Sequence, residues 1–448
     1  MYQKSWVPQD RALFNKFRKN RKKTFKNSNK ELKWSLMSEV LSPEPLSRIT
    51  FTWKGKELDG ILISVVGDKM NIKLSNGYNI LVKPENVKVM GKMEPHAIRD
   101  VADSGVKGAP ISLITTGGTI VSRVDYTTGA VFPSMDIGEL TSRFRYLTER
   151  RNIKKYEFSN ILSENMEPDQ WIKLSKLVAE RLKNSEGVVI THGTDTMTYT
   201  SAALSFMFEK QTGPIVMTGS QRSSDRPSSD SFLNLEAAIA FASSDHGEVG
   251  IAMHRNSSDH KVSFIRGTRA RKMHSTRRDA FRSMGEEPHG TFDMGLVKLS
   301  NKIRPRDEET ILKSKLEKKV SLIYFYPGLE TEQLEKLLDG KKGAVIMGTG
   351  LGHIATKYLQ SIKERVSEGM KIMSATQCLN GSVNLDVYTT GRQMKDAGMT
   401  SCKNMLPETA YVKMMYVLGN YPWEDFEKVM QTNLRGEFLE RESVEVTL

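Results

Sequence analysis

Two polar turns, each directly after an apolar run, carry side chains suited to nucleophilic and acid–base chemistry. The stretch EGVVITHGTDTM (186–197) runs into Thr194 and Asp195, and a helical pattern follows at once. The stretch ITTGGTI (114–120) likewise places Thr116 at the end of an apolar run. Open α/β sheets bind their ligands where strands end and helices begin. Both turns are therefore candidate parts of an active site, although a helix cap or a tight turn needs the same residue types.

Glycines in both turns allow the backbone to approach a ligand closely. Gly193 precedes Thr194, and Gly117 stands beside Gly118. A glycine accepts positive φ values, and successive backbone N–H groups bind an oxyanion or a carboxylate. Because a threonine hydroxyl is a poor nucleophile at neutral pH, it needs a neighbouring base. Thr194, next to the Asp195 carboxylate, is thus either a nucleophile or a partner of the base.

From about residue 108 the sequence predicts an α/β fold. Amphipathic helical patterns, such as PDQWIKLSKLVAERLKN and SFLNLEAAIAFAS, lie between strand-like apolar runs. Strands that alternate with helices of this length indicate a parallel sheet with helices on both faces. The strand-like runs are ISLIT (111–115), VVIT (188–191), PIVMTG (214–219) and VGIAM (249–253).

A charged, weakly apolar segment divides this α/β region into two lobes. We predict an N-terminal lobe with the active site at 108–300, a linker at 301–319 and a smaller C-terminal lobe at 320–440. The second lobe again shows strands that end in glycine-rich or polar turns. These strands are VSLIYFYP (320–327), GAVIMGTGLGHI (343–354) and KIMSATQCLNGSV (371–383).

Residues 46–95 have a different pattern, with four or five short strands separated by turn signals. Lys54-Gly55, Gly67-Asp68 and Asn76-Gly77 mark the turns, and Asn-Gly is a strong hairpin signal. Short strands at this density predict a small β-barrel module, SH3-like or OB-like. Modules of this kind bind RNA, protein or nothing, so the type does not give the function.

The chain length and the number of cysteines are those of a globular protein of two or three domains in a reducing compartment. The chain has 448 residues and only two cysteines, which cannot form a disulfide framework. The first residues, MYQKSWVPQDR, lack the pattern of a secretory signal, and no run of about 18 apolar residues predicts a membrane span. We therefore expect a cytoplasmic protein.

About half of the net charge of +13 lies in a basic N-terminal extension, residues 1–45. This extension contains eleven Lys or Arg and four acidic residues. Basic segments of this density bind nucleic-acid phosphates or remain solvated tails. The charge alone does not decide whether the extension binds nucleic acid or remains a solvated tail.

Three further patterns are weaker candidates for a site. Cys378 follows a strand-like run, but no helix-preceding nucleophile turn surrounds it, so a small core residue is the better interpretation. GTGLGH (348–353) lacks the last glycine of a dinucleotide-binding turn. His192 and His353 lack metal-ligand spacing. We expect neither a nucleotide nor a metal ion in this chain.

Taken together, the two turns resemble the asparaginase/glutaminase family, whose signature motifs are TTGGTI and, about 75 residues later, THGTDT. The resemblance covers roughly residues 108–440. It includes SENM (163–166), similar to the family's substrate-carboxylate loop, and RARKMH (269–274), similar to the segment with its catalytic lysine.

This resemblance implies that Thr116 is the nucleophile and that Thr194 acts with Asp195 and Lys272. To accept a proton, Lys272 must be held neutral or share the proton with Asp195 through Thr194, which a lowered pKa would favour. Nearby Arg269 and Arg271 are candidates for lowering that pKa. The implied substrate-binding residues are Ser163, Glu164, Gly193 and Tyr126.

Two of these binding residues, Tyr126 and Glu164, have a distinctive sequence context. Tyr126 lies in SRVDYTTGAVF (122–132), which is similar to the family's mobile lid loop. Glu164 stands where bacterial members often have Gln, and its carboxylate is suited to the α-ammonium group of an amino-acid substrate.

The small β-barrel module at residues 46–95 narrows the resemblance to one group within the family. LSNGYNILV (74–82), ahead of TTGGTI, is similar to the archaeal-type glutamyl-tRNA(Gln) amidotransferase D subunits. That family implies glutamine hydrolysis and delivery of ammonia to a partner, the E subunit, which uses ATP and Mg²⁺ to amidate Glu-tRNA(Gln). It also implies a homodimer within a heterotetramer. The alternatives are a stand-alone cytoplasmic L-asparaginase and a non-catalytic RNA-binding scaffold.

Deletion of residues 1–45 tests the role of the extension. If its basic side chains contact phosphates, the truncated chain will bind tRNA more weakly and with a shallower dependence on salt, because fewer counterions are released. A binding series over several salt concentrations measures both effects. An unchanged affinity throughout would exclude contact between the extension and RNA.

Overall fold

The computed structural model describes residues 47–66, 68–74, 79–92, 110–118, 120, 122–124, 131–133, 151–224, 228–258 and 260–443. These residues belong to two compact units, a front unit (47–92) and a main unit (110–443). The basic extension, the Asn76-Gly77 turn and Tyr126 lie outside the described residues.

The front unit is a five-stranded antiparallel sheet in the order β4-β3-β2-β1-β5. Alternate residues of β1 are buried, among them Ile49 and Phe51, and they pack against Leu62 and Ile72 in one small core. Lys54 and Gly55, both with positive φ, form the tight turn between β1 and β2. The strands are β1 (Ser47–Trp53), β2 (Lys56–Val66), β3 (Lys69–Leu74), β4 (Asn79–Val82) and β5 (Glu85–Lys92).

The N-terminal lobe of the main unit is built on an eight-stranded sheet. The first strands of the whole lobe, inside and outside this sheet, are β6 (Ile111–Gly117), β7 (Ser122–Val124), β8 (Val131–Pro133), β9 (Ile153–Ile161) and β10 (Gly187–Thr191). They are followed by β11 (Phe208–Lys210), β12 (Ile215–Thr218), β13 (Val249–His254), β14 (Lys261–Arg266) and β15 (Ala270–Lys272). The last are β16 (Phe281–Ser283), β17 (Gly290–Asp293) and β18 (Leu296–Leu299). The helices are α1 (Pro168–Leu182), α2 (Met197–Met207) and α3 (Ser231–Ala242).

The order β18-β17-β14-β13-β12-β10-β6-β9 combines parallel and antiparallel strands. The five strands from β9 to β13 run parallel, while β14, β17 and β18 are antiparallel additions at one edge. The predicted α/β class is thus confirmed, and the antiparallel edge is an addition to the predicted parallel sheet. It arises because a short loop, rather than a crossover helix, connects β13 to β14.

Helices cover both faces of this sheet. Within β10, Val188 and Ile190 face the core that contains α1 and α2, whereas Val189 faces the core that contains α3. This alternation is the period of a strand buried on both sides. Helix α1 begins at Pro168, and a capping box between Glu167 and Gln170 satisfies its first backbone groups.

The C-terminal lobe is a smaller parallel sheet in the order β20-β21-β22-β23. Its strands, preceded by β19 (Ile311–Leu312), are β20 (Val320–Tyr324), β21 (Gly343–Gly348), β22 (Lys371–Thr376) and β23 (Thr400–Ser401). Its helices are α4 (Thr331–Leu338), α5 (Leu359–Ser367), α6 (Thr389–Asp396), α7 (Pro407–Asn420) and α8 (Phe426–Gln431). Across the described residues of the chain, no helix has the length and apolarity needed to cross a membrane.

The two lobes share one hydrophobic core through α2 and α7. The Phe206 ring of α2 stacks on the Tyr416 ring of α7 with centroids 6.0 Å apart, and Tyr199 meets Tyr411 edge to face at 6.4 Å. The segment predicted as a linker also packs on the N-terminal lobe, since β19 pairs with β11. The helix that follows the Thr194 turn is therefore braced by the second lobe.

His246 is fully buried in the loop before β13 and is held as a neutral ring. Its Nδ1 atom accepts the Glu248 N–H at 3.2 Å, which leaves Nε2 to donate to the Phe241 carbonyl at 3.1 Å. Burial lowers the pKa of His246 from 6.5 to about 4. The unfolded chain binds a proton near pH 6.5, whereas the folded protein resists it down to about pH 4. The stability from this group is therefore present above pH 6.5 and is lost as the pH falls towards 4.

We predict that this group lowers the free energy of unfolding by about 2 kcal/mol between pH 7 and pH 5. The difference between urea unfolding curves at the two pH values should shrink by that amount in His246→Gln, which cannot titrate. The exposed His260 provides the control, and His260→Gln should keep the full difference. An unchanged difference in His246→Gln would contradict the assignment.

Candidate active site

The two polar turns lie side by side because their strands are neighbours. Strands β6 and β10 are parallel, and their register places Thr115 beside Thr191. A Cβ atom placed on Gly118 would lie 2.5 Å from the backbone nitrogen of Gly193, closer than real Cβ atoms approach backbone. Gly118 also has φ +86°, which favours glycine. The turns are thus in backbone contact at the carboxyl edge of the sheet.

Thr116 is buried at the end of β6, with 1% of its surface exposed. Its hydroxyl donates to the Thr191 carbonyl of β10 at 3.0 Å, and its own carbonyl accepts the Ser159 hydroxyl at 3.0 Å. Backbone and side chain are therefore fixed by both neighbouring strands. The arrangement places one threonine hydroxyl next to the THGTDT turn.

Lys272 reaches the second turn from the two-stranded hairpin of β15 and β16. Its Nζ atom donates to Thr194 Oγ1 and to Asp195 Oδ1, both at 2.8 Å. Thr194 is buried and the Lys272 side chain is only 14% exposed, whereas the Asp195 side chain is 69% exposed. The structure thus joins the three residues in one cluster, with Asp195 at its open side.

Ser163 approaches this cluster from a short 3-10 turn (Ser163–Asn165) after β9. Its carbonyl accepts the Thr196 hydroxyl at 2.6 Å, and a Cβ atom on Gly193 would lie 2.5 Å from Ser163 Cβ. Gly193 therefore has to be a glycine for Ser163 to lie where it does. The adjacent Glu164 has an exposed side chain on the same turn.

His192 is a structural member of the site that the sequence did not single out, except as an unsuitable metal ligand. It is fully buried, and its Nδ1 atom donates to the Gly193 carbonyl at 2.7 Å, so Nε2 accepts the Thr200 hydroxyl at 3.0 Å. Burial lowers its pKa to about 4, so the ring is neutral near pH 7. His192 thereby ties the turn to α2. Its only sequence signal is a position directly after an apolar strand.

The two arginines near Lys272 bind the C-terminal lobe. Arg269 is fully buried and donates to the Asn404 carbonyl of that lobe at 2.7 Å, and to the Met284 carbonyl of its own lobe at 2.8 Å. Arg271 forms an ion pair with Glu408 at 3.4 Å. Both guanidinium groups are thus committed to partners other than Lys272.

The cluster is suited to acyl transfer from an amide. It contains one buried hydroxyl, Thr116, in a glycine-rich turn, and a second hydroxyl, Thr194, that accepts from an amine which also donates to a carboxylate. A cysteine nucleophile is less suited. Cys402 is buried and its pKa is raised to about 12, so its thiol is not ionised near pH 7. Cys378 is exposed in the C-terminal lobe, so the prediction that it is a core residue was wrong.

Family models match most of the main unit. The N-terminal asparaginase model matches residues 110–304, and the glutaminase/asparaginase C-terminal model matches residues 319–431. The chain is similar to the solved thermostable L-asparaginase from Thermococcus kodakarensis, with a TM-score of 0.67 and 30% identity. That match covers 74% of this chain and 99% of the asparaginase.

Curated relatives extend the match to nearly the whole chain. The D subunit of glutamyl-tRNA(Gln) amidotransferase from Thermoplasma volcanium is 44% identical over 400 residues, which is 88% of this chain and 98% of that protein. The D subunit from Pyrococcus furiosus is 45% identical over 83% of this chain and 87% of that protein. The chain therefore belongs to the asparaginase/glutaminase family and, within it, to the glutamyl-tRNA(Gln) amidotransferase D subunits.

Proposed function

We propose that this chain hydrolyses glutamine with Thr116 as nucleophile and supplies the ammonia to a partner protein for conversion of Glu-tRNA(Gln) to Gln-tRNA(Gln). The observation that carries the proposal is the contact of Lys272 Nζ with Thr194 and Asp195, 2.8 Å from each, in the turn that touches the Thr116 turn. The similarity to D subunits supports glutamine as the amide donor.

In the first step, the Thr116 hydroxyl attacks the side-chain amide carbon of glutamine. Its proton passes to the Thr194–Lys272 pair and then to the leaving nitrogen, so the carbon–nitrogen bond breaks and ammonia departs. Because the Thr116 proton is bonded to the Thr191 carbonyl in this structure, the hydroxyl rotates before it attacks. The glycine N–H groups of the two turns stabilise the negative charge on the amide oxygen.

In the second step, water attacks the glutamyl ester on Thr116. The Thr194–Lys272 pair takes a proton from the water, and the same proton returns to the Thr116 oxygen as the ester bond breaks. Glutamate leaves, and the sum of both steps is glutamine and water giving glutamate and ammonia. Ser163 and Glu164 bind the amino-acid end of the substrate in this proposal.

The ammonia is the nitrogen source for the partner, the E subunit, which activates Glu-tRNA(Gln) with ATP and Mg²⁺. This division of labour requires that the chain act within a complex, and a homodimer within a heterotetramer is the assembly we propose. The relatives' names support such a complex, since each names one part of an amidotransferase with several subunits. A stand-alone asparaginase is the competing function, because the similar solved structures are L-asparaginases.

Removal of the proton-transfer groups should separate the two activities of the complex. In Thr194→Ala and Lys272→Ala, glutamine-dependent formation of Gln-tRNA(Gln) should fall at least about 100-fold, because proton transfer is lost. Ammonium chloride should still support amidation, since the partner's chemistry is intact. The measurement is the amidation rate of the reconstituted complex with each nitrogen donor.

The exposed Lys302 offers a matched control, and Lys302→Ala should resemble the unaltered protein with both donors. Failure of ammonium to restore amidation would contradict the supply of ammonia by this chain. Rapid asparagine hydrolysis without partner or tRNA would favour the stand-alone asparaginase instead.

A further inference from the structure

The strand that presents Lys272 is held from behind by the C-terminal lobe. Successive side chains of a strand point to opposite faces. Lys272 contacts Thr194 and Asp195 of the N-terminal lobe, while its neighbour Arg271 contacts Glu408 of the C-terminal lobe. Strand β15 therefore bridges the two lobes, one residue to each side.

The contact between Arg271 and Glu408 is a shielded ion pair. The distance from Arg271 Nη2 to Glu408 Oε1 is 3.4 Å, and the side chains are 19% and 17% exposed. Glu408 is the second residue of α7, so the helix dipole favours its negative charge. At this degree of burial solvent screens the pair only in part.

The ion pair lies next to the helix that follows the catalytic turn. The half-buried Tyr199 of α2 has its pKa raised to about 12, first by burial and then by the Glu408 charge, which Arg271 partly offsets. Tyr199 in turn packs against Tyr411 of α7. One pair of charges thus borders both parts that must meet, the strand with Lys272 and the helix that follows Thr194.

Neighbouring contacts also hold Thr268 and Arg269, the two residues just before β15, rigidly in place. The Thr268 carbonyl accepts the Thr409 hydroxyl at 2.9 Å, and Arg269 donates to Asn404 and Glu437 carbonyls at 2.7 and 3.2 Å. These buried bonds fix the start of the segment. Among the described residues, Arg271 makes the last cross-lobe contact in sequence before Lys272.

We infer that Arg271 and Glu408 are positioning residues for the Lys272 amine. Their ion pair fixes β15 so that Lys272 Nζ stays within 2.8 Å of both Thr194 and Asp195. A displacement of about 1 Å would break both hydrogen bonds and costs an enzyme about 100-fold in rate. This inference rests on the proposed function, because it assigns a role in the same proton transfer.

The test is glutamine hydrolysis by the complete complex containing Glu408→Gln or Arg271→Gln. Each variant keeps most of the side-chain volume and removes one charge. We expect kcat to fall about 10- to 100-fold with KM changed less than about threefold, because the substrate-binding groups stay in place. The double variant should be no slower than either single one, since both remove the same interaction.

Glu317→Gln is the matched control. The Glu317 side chain is also 17% exposed and pairs with Lys342 at 2.7 Å, at the start of the C-terminal sheet. This variant should keep kcat and KM. If Glu408→Gln does not fold, Arg271→Gln serves in its place, because it removes the other charge of the ion pair, and kcat should again fall at constant KM.

Two results would overturn the inference. One is a kcat within about threefold of the unaltered enzyme in a folded Glu408→Gln or Arg271→Gln complex. The other is a rise in KM at constant kcat, which would place the pair in substrate binding. Failure of the proposed function looks different, since the unaltered complex would then not hydrolyse glutamine, or Lys272→Ala would be as active as the unaltered complex.

Discussion

The contact between Gly118 and Gly193 sets the geometry on which the rest of the site depends. Two parallel strands, β6 and β10, pair in register and end together, so that their turns have to share the same space. Space for both turns exists only without a Cβ atom at Gly118. Ser163 adds a third segment against Gly193. The turns that contain Thr116 and Thr194 are held against each other because three segments meet there.

The second constraint is that the Lys272 amine has to be held in place from a separate part of the chain. Lys272 comes from a hairpin rather than from the parallel strands, and its neighbours Arg269 and Arg271 are bound by the C-terminal lobe. Among the described residues, the C-terminal lobe contributes to the site through these contacts. Its structural role is thus to hold the amine against a cluster that the N-terminal lobe has already formed.

The sequence predicted the parts of this structure whose signals are local. The apolar runs at 188–191 and 111–115 became β10 and β6, and the amphipathic pattern after Pro168 became α1, because burial periodicity and capping residues are written in neighbouring positions. The antiparallel edge was missed, since nothing local shows that β14 returns without a crossover helix. Lys272 lies 78 residues from Thr194, and family resemblance rather than spacing pointed to it. His192 and Glu408 were missed as site residues because their roles come from tertiary contacts alone.

The proposed chemistry assigns different tasks to the two threonines, with Thr116 as the nucleophile and Thr194 as the partner of Lys272. The central claim is that the glutamyl group is carried by Thr116. Its most direct test is to quench the complex in acid during glutamine turnover and to map the modified peptide by mass spectrometry. The account predicts a glutamyl ester on Thr116, which accumulates when its hydrolysis is slowed. An ester on Thr194, or a thioester on Cys378 or Cys402, would contradict it.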